Sequence, residues 1–106
     1  MIDATLAHAM TKAAIETYET LAEQKADQFL EDEFRSVEDT IRAGINQMHY
    51  YATFELVIPA HLVVFENKIQ ERFAHHLKKL GYKVRLFHSE YREKETTLFY
   101  DIRWVK

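Results

Sequence analysis

Apolar residues in the first 48 positions recur every three or four residues, which is the spacing of one face of a helix. One stripe comprises Ile15, Tyr18, Ala22, Ala26 and Phe29, and a second comprises Leu30, Phe34, Val37, Ile41, Ile45 and Met48. The stretch from Asp3 to Gln47 has no proline and is rich in alanine, glutamate, glutamine and lysine, all good helix formers. The sequence therefore predicts a helical N-terminal segment.

A break in this helical segment is predicted near residue 36. Ser36 and Asp39 have the spacing of a capping box, in which the hydroxyl accepts from the Asp39 amide and the carboxylate reaches back. We therefore expect two helices, near 3–34 and 37–48. One continuous or kinked helix is the alternative, because the second stripe crosses the proposed break.

The period changes to two at Tyr50, where apolar and polar positions begin to alternate, and this predicts a strand over 50–58. Pro59 ends the strand and suits the first turn of a helix, where its missing amide costs nothing. From residue 60 to 80 the apolar positions again step by three or four, which predicts a helix. Gly81 follows as the expected left-handed cap.

Two further alternating segments predict strands over 82–88 and 97–104, and the charged residues 89–95 between them predict a hairpin tip. A right-handed crossover through helix 60–80 makes the first two strands parallel, so the simplest sheet has the third strand between them, antiparallel to both. Helix 60–80 should cover one face of the sheet. The strand residues expected beneath it are Val84, Leu86, Leu98, Ile102 and Trp104.

The predicted fold class is α+β, with N-terminal helices followed by a β-α-β-β unit whose three-stranded mixed sheet has the third strand in the centre. At 106 residues the chain has the length of one domain. We expect a single domain over 1–106, made of a helical segment (1–48) and the β-α-β-β unit (49–106).

Composition narrows the possible chemistry. The absence of cysteine excludes disulfides and thiolate metal sites, and two glycines are too few for a glycine-rich phosphate loop. His75 and His76 are the only adjacent pair among six histidines, and adjacent side chains on a helix point about 100° apart, which disfavours a shared metal ion. We expect no metal site, no cofactor and no enzymatic activity, because no serine, histidine and acid grouping appears at a suggestive spacing.

Charge is divided unevenly along the chain. Residues 1–58 carry a net charge of −7 and residues 59–106 carry +4. The two halves can attract each other within one molecule or between copies, or they can simply be solvated surfaces.

The first eight residues lack the pattern of a secretory signal, and no apolar stretch is long enough to cross a membrane, so a cytoplasmic protein is expected.

The last third of the chain resembles a pattern that recurs in small uncharacterised proteins of tailed bacteriophages and large DNA viruses. In that pattern a helix ends in Leu-Gly-Tyr and a charged hairpin closes on Ile-x-Trp. The matching residues here are Leu80, Gly81, Tyr82, Val84, Thr96, Thr97, Ile102 and Trp104. The resemblance implies a phage-encoded accessory protein without known enzymatic activity, which would act in the host cytoplasm.

The N-terminal segment is the first candidate interaction surface. Four apolar residues lie apart from the Ile15 stripe and would be exposed on a monomer, namely Leu6, Met10, Ala14 and Leu21. Exposed apolar surface of this kind marks contact sites. The sequence therefore predicts a homo-oligomer that associates through these residues, and an interaction module that also binds a protein partner of unknown identity.

The sheet face opposite helix 60–80 is the second candidate surface. It is predicted to carry Tyr51, Lys83, Arg85, Phe87, Phe99 and Arg103. Aromatic side chains among cations on a sheet are typical of proteins that bind single-stranded nucleic acid or nucleotides. Cross-strand packing, burial under the N-terminal helices and a subunit interface are the alternatives for this face. A structural component of a virus particle is a third possible function.

Overall fold

Two helices pack on one face of a three-stranded sheet in the computed structural model, which describes residues 1–105. The elements in chain order are α1 (Ala4–Asn46), β1 (Tyr51–Ile58), a 3-10 helix (Ala60–Phe65), α2 (Glu66–Lys79), β2 (Lys83–Arg92) and β3 (Glu95–Arg103). The predicted α+β class, with helix first and strands after, is confirmed.

The first helix is continuous over 43 residues, so the predicted break at Ser36 is wrong and the continuous alternative is correct. Helix extension adds a hydrogen bond for each residue ordered, whereas a new start must be nucleated again. The buried positions Leu30, Val37 and Ile41 also remain on one face through the proposed break. A cap at Ser36 would therefore cost hydrogen bonds without improving the burial of any side chain.

The third strand lies in the centre of the sheet, in the order β1-β3-β2, as predicted. Both hydrogen-bonded pairs are antiparallel, so the sheet is antiparallel rather than mixed; β1 and β2 run in the same direction but are not neighbours. The predicted hairpin tip was too long, because the ladder continues to Arg92 and Glu95 and only two residues form the turn. A β-bulge interrupts β2 between Leu86 and His88.

The helix predicted over 60–80 is divided into the 3-10 helix and α2. Leu62 and Phe65 are both buried and are three residues apart, which places them on one face of a 3-10 turn. Gly81 adopts a φ of 96°, so its prediction as a left-handed cap is confirmed.

Phe73 of α2 forms the centre of the core. Its ring centroid lies 5.7 Å from Phe34 of α1, 5.9 Å from Phe54 of β1 and 4.5 Å from Tyr100 of β3. Burial raises the pKa of Tyr100 to about 12. One side chain thus joins both helices and two strands, so α1 and α2 share the same face of the sheet.

The covering of the sheet differs in part from the prediction. Leu98 and Ile102 are fully buried, and Val84 and Trp104 are half-buried. The expected burial of Leu86 is wrong, because its side chain is 38% exposed beside the bulge in the edge strand β2.

The last turn of α1 lies close to β1 because residue 44 is a glycine. A Cβ there would lie 3.1 Å from the Trp104 ring and 3.1 Å from the Tyr51 carbonyl oxygen. These contacts explain why a residue that weakens helices stands within the last turn of α1.

Phe73→Ala should lower the free energy of unfolding by about 3–5 kcal/mol, because it empties the site shared by both helices and the sheet. Phe87→Ala is the matched control, since that ring is 49% exposed, and its cost should stay below about 1 kcal/mol. Urea denaturation measures both variants. Equal losses for the two would show that Phe73 is not the centre of the core.

Candidate interaction surfaces

The N-terminal part of α1 extends beyond the rest of the molecule. Every residue from Met1 to Leu21 is exposed, and burial in α1 begins at Ala22. A helix of 43 residues is about 65 Å long, which agrees with the longest dimension of the molecule, 66 Å. We call residues 4–17 the projecting segment.

Tyr18 marks the base of the projecting segment. Its hydroxyl donates a hydrogen bond of 2.9 Å to the Val64 carbonyl oxygen, and its ring centroid lies 5.9 Å from that of Phe65. Ile15 and Tyr18 belong to the first apolar stripe, but they are 56% and 43% exposed, because burial in α1 begins only at Ala22.

Two ion pairs connect α1 to α2 next to this base. The Lys68 ammonium lies 3.1 Å from the Glu19 carboxylate, and the Arg72 guanidinium donates two hydrogen bonds of 3.0 Å to Asp27. The hydrogen bond to Glu19 raises the pKa of Lys68 above its ordinary value, and the hydrogen bonds to Asp27 raise the pKa of Arg72. The projecting segment is therefore a continuation of a helix held by side chains of α2.

Leu6, Met10, Ala14 and Leu21 form one exposed stripe on α1, which we call the N-terminal stripe. Leu6 is 51% exposed, Met10 53% and Leu21 42%, and Ala14 is also exposed. With about 3.6 residues per turn, these positions lie roughly opposite the centre of the buried face of α1, which Ala26, Leu30 and Val37 form. The structure therefore brings the four predicted residues together on the side of α1 that faces away from the sheet and α2.

The side of α1 that carries the N-terminal stripe is almost uncharged. Between residues 3 and 25, all of them described by the structure, the helical periodicity places only two charged residues on that side, Asp3 at one end and Lys25 at the other. Asp3 accepts a hydrogen bond of 2.8 Å from the Leu6 amide and so caps the helix. Lys25 forms no salt bridge within residues 1–105.

The second candidate surface is the sheet face away from the helices, which we call the outer face. Its six predicted residues lie in adjoining cross-strand rows: Tyr51, Arg103 and Lys83 in one, Arg85 beside Asp101 in the next, and Phe99 beside Phe87 in the third. Burial of this face under the N-terminal helices is excluded, because both helices pack on the opposite face.

The bulge in β2 enlarges the aromatic part of the outer face. Phe87 and His88 are both placed against Phe99, with ring centroids at 6.3 Å and 5.2 Å. At the other edge, His49 stacks on Tyr51 with a centroid distance of 5.1 Å. Alternation alone did not predict His88 here, since the bulge changes which side a residue of β2 faces, and His49 lies just before the first residue of β1.

Carboxylates lie among the cations of the outer face. Arg103 donates a hydrogen bond of 2.7 Å to Asp101, and Arg92 lies 2.8 Å from Glu90. Glu55 pairs in register with Phe99. The outer face therefore combines both charge signs, which weakens its attraction for a polyanion.

A groove between α1 and the end of α2 was not predicted. It encloses about 490 Å³, and its apolar lining includes Phe34, Val37, Ile41 and Leu77. The sequence signal for it was the second apolar stripe of α1, which is longer than α2 can cover. Ile45 and Leu80 remain 54% and 63% exposed at its end.

Within residues 1–105, no three histidine, aspartate or glutamate side chains are grouped so that they could hold a metal ion. None of the described helices has the length and apolar character needed to cross a membrane. Comparisons with protein-family models, curated proteins and solved structures found no match, so no relative supplies a function for these surfaces.

Proposed function

We propose that the protein is a non-enzymatic interaction module that self-associates through the N-terminal stripe. The observation that carries this proposal is an apolar stripe that is exposed along its whole length, on a helix end that contacts little of its own chain. A helical segment of this length is only marginally stable when isolated in water. A partner that covers the stripe stabilises the segment as well as burying apolar surface.

A second copy of the chain is the partner that this surface fits best. The stripe ends in opposite charges, Asp3 and Lys25, which are complementary between two copies. Ala14 near its middle lets two helices approach closely. A membrane surface fits less well, because helices that bind membranes carry lysine and arginine beside the apolar face, whereas the neighbouring side here carries Glu16, Glu19 and Glu23.

The accessory role in a bacteriophage, with a location in the host cytoplasm, stays a prediction from the Leu80-Gly81-Tyr82 and Ile102-x-Trp104 resemblance. A projecting helix that pairs with the same helix of a second copy is compatible with an accessory protein and with a small component of a virus particle. The proposed self-association does not depend on which of these roles is correct, so the oligomeric state is the first property to measure.

Leu6→Glu combined with Met10→Glu should convert a dimer into a monomer, because it places four carboxylates in the paired stripe. Glutamate is a good helix former and is favourable near a helix N-terminus, so α1 itself should persist. The matched control is His8→Glu combined with Ile15→Glu, which adds the same charge on the other side of the segment. Sedimentation equilibrium should give twice the 12.6 kDa chain mass for the unmodified protein and the control.

A single 12.6 kDa species for the unmodified protein at all micromolar concentrations would contradict self-association. Dimers that persist in the Leu6→Glu, Met10→Glu variant would show instead that a surface other than the N-terminal stripe holds them. Circular dichroism of both double variants checks that the helix content is unchanged.

The outer face supports a second candidate function, the binding of single-stranded nucleic acid. The specific observation in its favour is that the helices leave this face uncovered, with Tyr51 and Phe87 each 49% exposed beside three cations. Asp101 and Glu55 lie on the same face and oppose such binding, which is why we place this function second.

Phe99→Ala should weaken the binding of a single-stranded oligonucleotide by about 1–3 kcal/mol if bases stack on the outer face. Tyr91→Ala is the control, because Tyr91 is an exposed aromatic residue paired with the buried Thr96 on the opposite face of the sheet. Gel shift at two salt concentrations measures both variants. Failure of the unmodified protein to bind any oligonucleotide at low salt would eliminate this function.

A further inference from the structure

We infer that two copies pair through α1 in an antiparallel orientation, with Ala14 of each copy on the twofold axis. This inference rests on the proposed self-association and adds its orientation and register. It follows from the order of charged, large and small residues along the N-terminal stripe, and from the side of α1 on which the stripe lies.

The charges select the orientation. Asp3 and Lys25 are equidistant from Ala14 along the chain, so an antiparallel register centred on Ala14 brings each Asp3 next to Lys25 of the partner copy. A parallel pair would place the two Asp3 side chains together and the two Lys25 side chains together. Like charges in contact repel, and aligned helix dipoles add to that repulsion.

Side-chain size agrees with the same register. Leu21 of one copy faces Ala7 of the other, Met10 lies next to Thr17, and Ala14 faces Ala14. Leu21 is thereby placed against a small residue, and the two helices approach most closely at Ala14. A parallel pair would instead place Leu21 against Leu21 and would leave a gap between the two Ala14 positions.

The rest of the molecule leaves room for this arrangement. The N-terminal stripe lies on the side of α1 away from α2 and the sheet, so the partner helix does not collide with them. The overlap of residues 3–25 spans about 33 Å. The two sheet-bearing ends of the dimer then lie at opposite ends of the helix pair and on opposite sides of it.

Cysteine cross-linking tests the register directly, because the unmodified chain contains no cysteine. A disulfide requires Cα atoms within about 7 Å, which facing positions on closely packed helices satisfy. In the proposed dimer, Ala14→Cys should form a disulfide with itself under mild oxidation. Ala7→Cys alone should not, whereas a mixture of Ala7→Cys and Leu21→Cys chains should form a mixed disulfide.

The outcomes separate the register from self-association itself. Self-linking of Ala7→Cys as efficiently as Ala14→Cys would indicate a parallel pair, and would overturn the register while leaving the proposed function intact. A monomer in sedimentation with no cross-link in any variant would overturn both. A dimer in sedimentation without any cross-link would show that another surface holds the copies, which also overturns both.

The charge pair is tested by variants that keep the helix cap. Asp3→Asn retains a capping side chain but removes the charge, and Lys25→Gln removes its partner. Each should raise the dissociation constant of the dimer about two- to fivefold at low salt, and the double variant should raise it no further. Lys12→Gln, on the other side of the helix, is the control. Fully additive effects of Asp3→Asn and Lys25→Gln would contradict their contact.

Discussion

The packing of Phe34, Phe54 and Tyr100 around Phe73 is the contact on which the arrangement of the molecule depends. Phe73 is fully buried between an aromatic ring of α1 and two rings of the sheet, so one side chain of α2 fixes both helices against the same face. Two helices on one face leave the outer face without cover. The aromatic contact therefore determines which surfaces of the chain are free as well as how its core is packed.

The difference in length between α1 and the strands determines the shape of the N-terminal end of the molecule. Strands of 8 to 10 residues span about 30 Å, whereas α1 has 43 residues and about twice that length. The buried residues Ala22, Ala26 and Leu30 pack α1 against the core, and the ion pairs of Glu19 with Lys68 and Asp27 with Arg72 add to this contact, so the excess helix continues beyond the core. The projecting segment is the result, and its uncharged apolar stripe is the surface that a partner copy would cover.

The sequence predicts the elements better than it predicts their limits. Periodicity identifies both helical regions, all three strands and the central position of β3, because each depends on local alternation and on the handedness of one crossover. It could not decide between the Ser36 cap and a continuous helix, since that depends on whether Leu30, Val37 and Ile41 meet one surface.

The bulge at Phe87 and the exposure of Leu86 depend on contacts across the edge of the sheet, which no local pattern encodes. The exposure of the N-terminal stripe follows from the projection of α1 beyond the core, which also exposes Ile15, and the sequence indicated it only through a surplus of apolar stripes.

Hydrogen exchange tests most directly whether a partner copy stabilises the projecting segment. The amides of residues 8–17 should exchange rapidly in dilute protein, because opening of an isolated helix end costs little. They should become protected as the concentration is raised through the micromolar range, while the amides of α2 around Phe73 stay protected throughout. Rapid exchange of residues 8–17 at every concentration would show that the projecting segment has no partner copy, and would contradict the account.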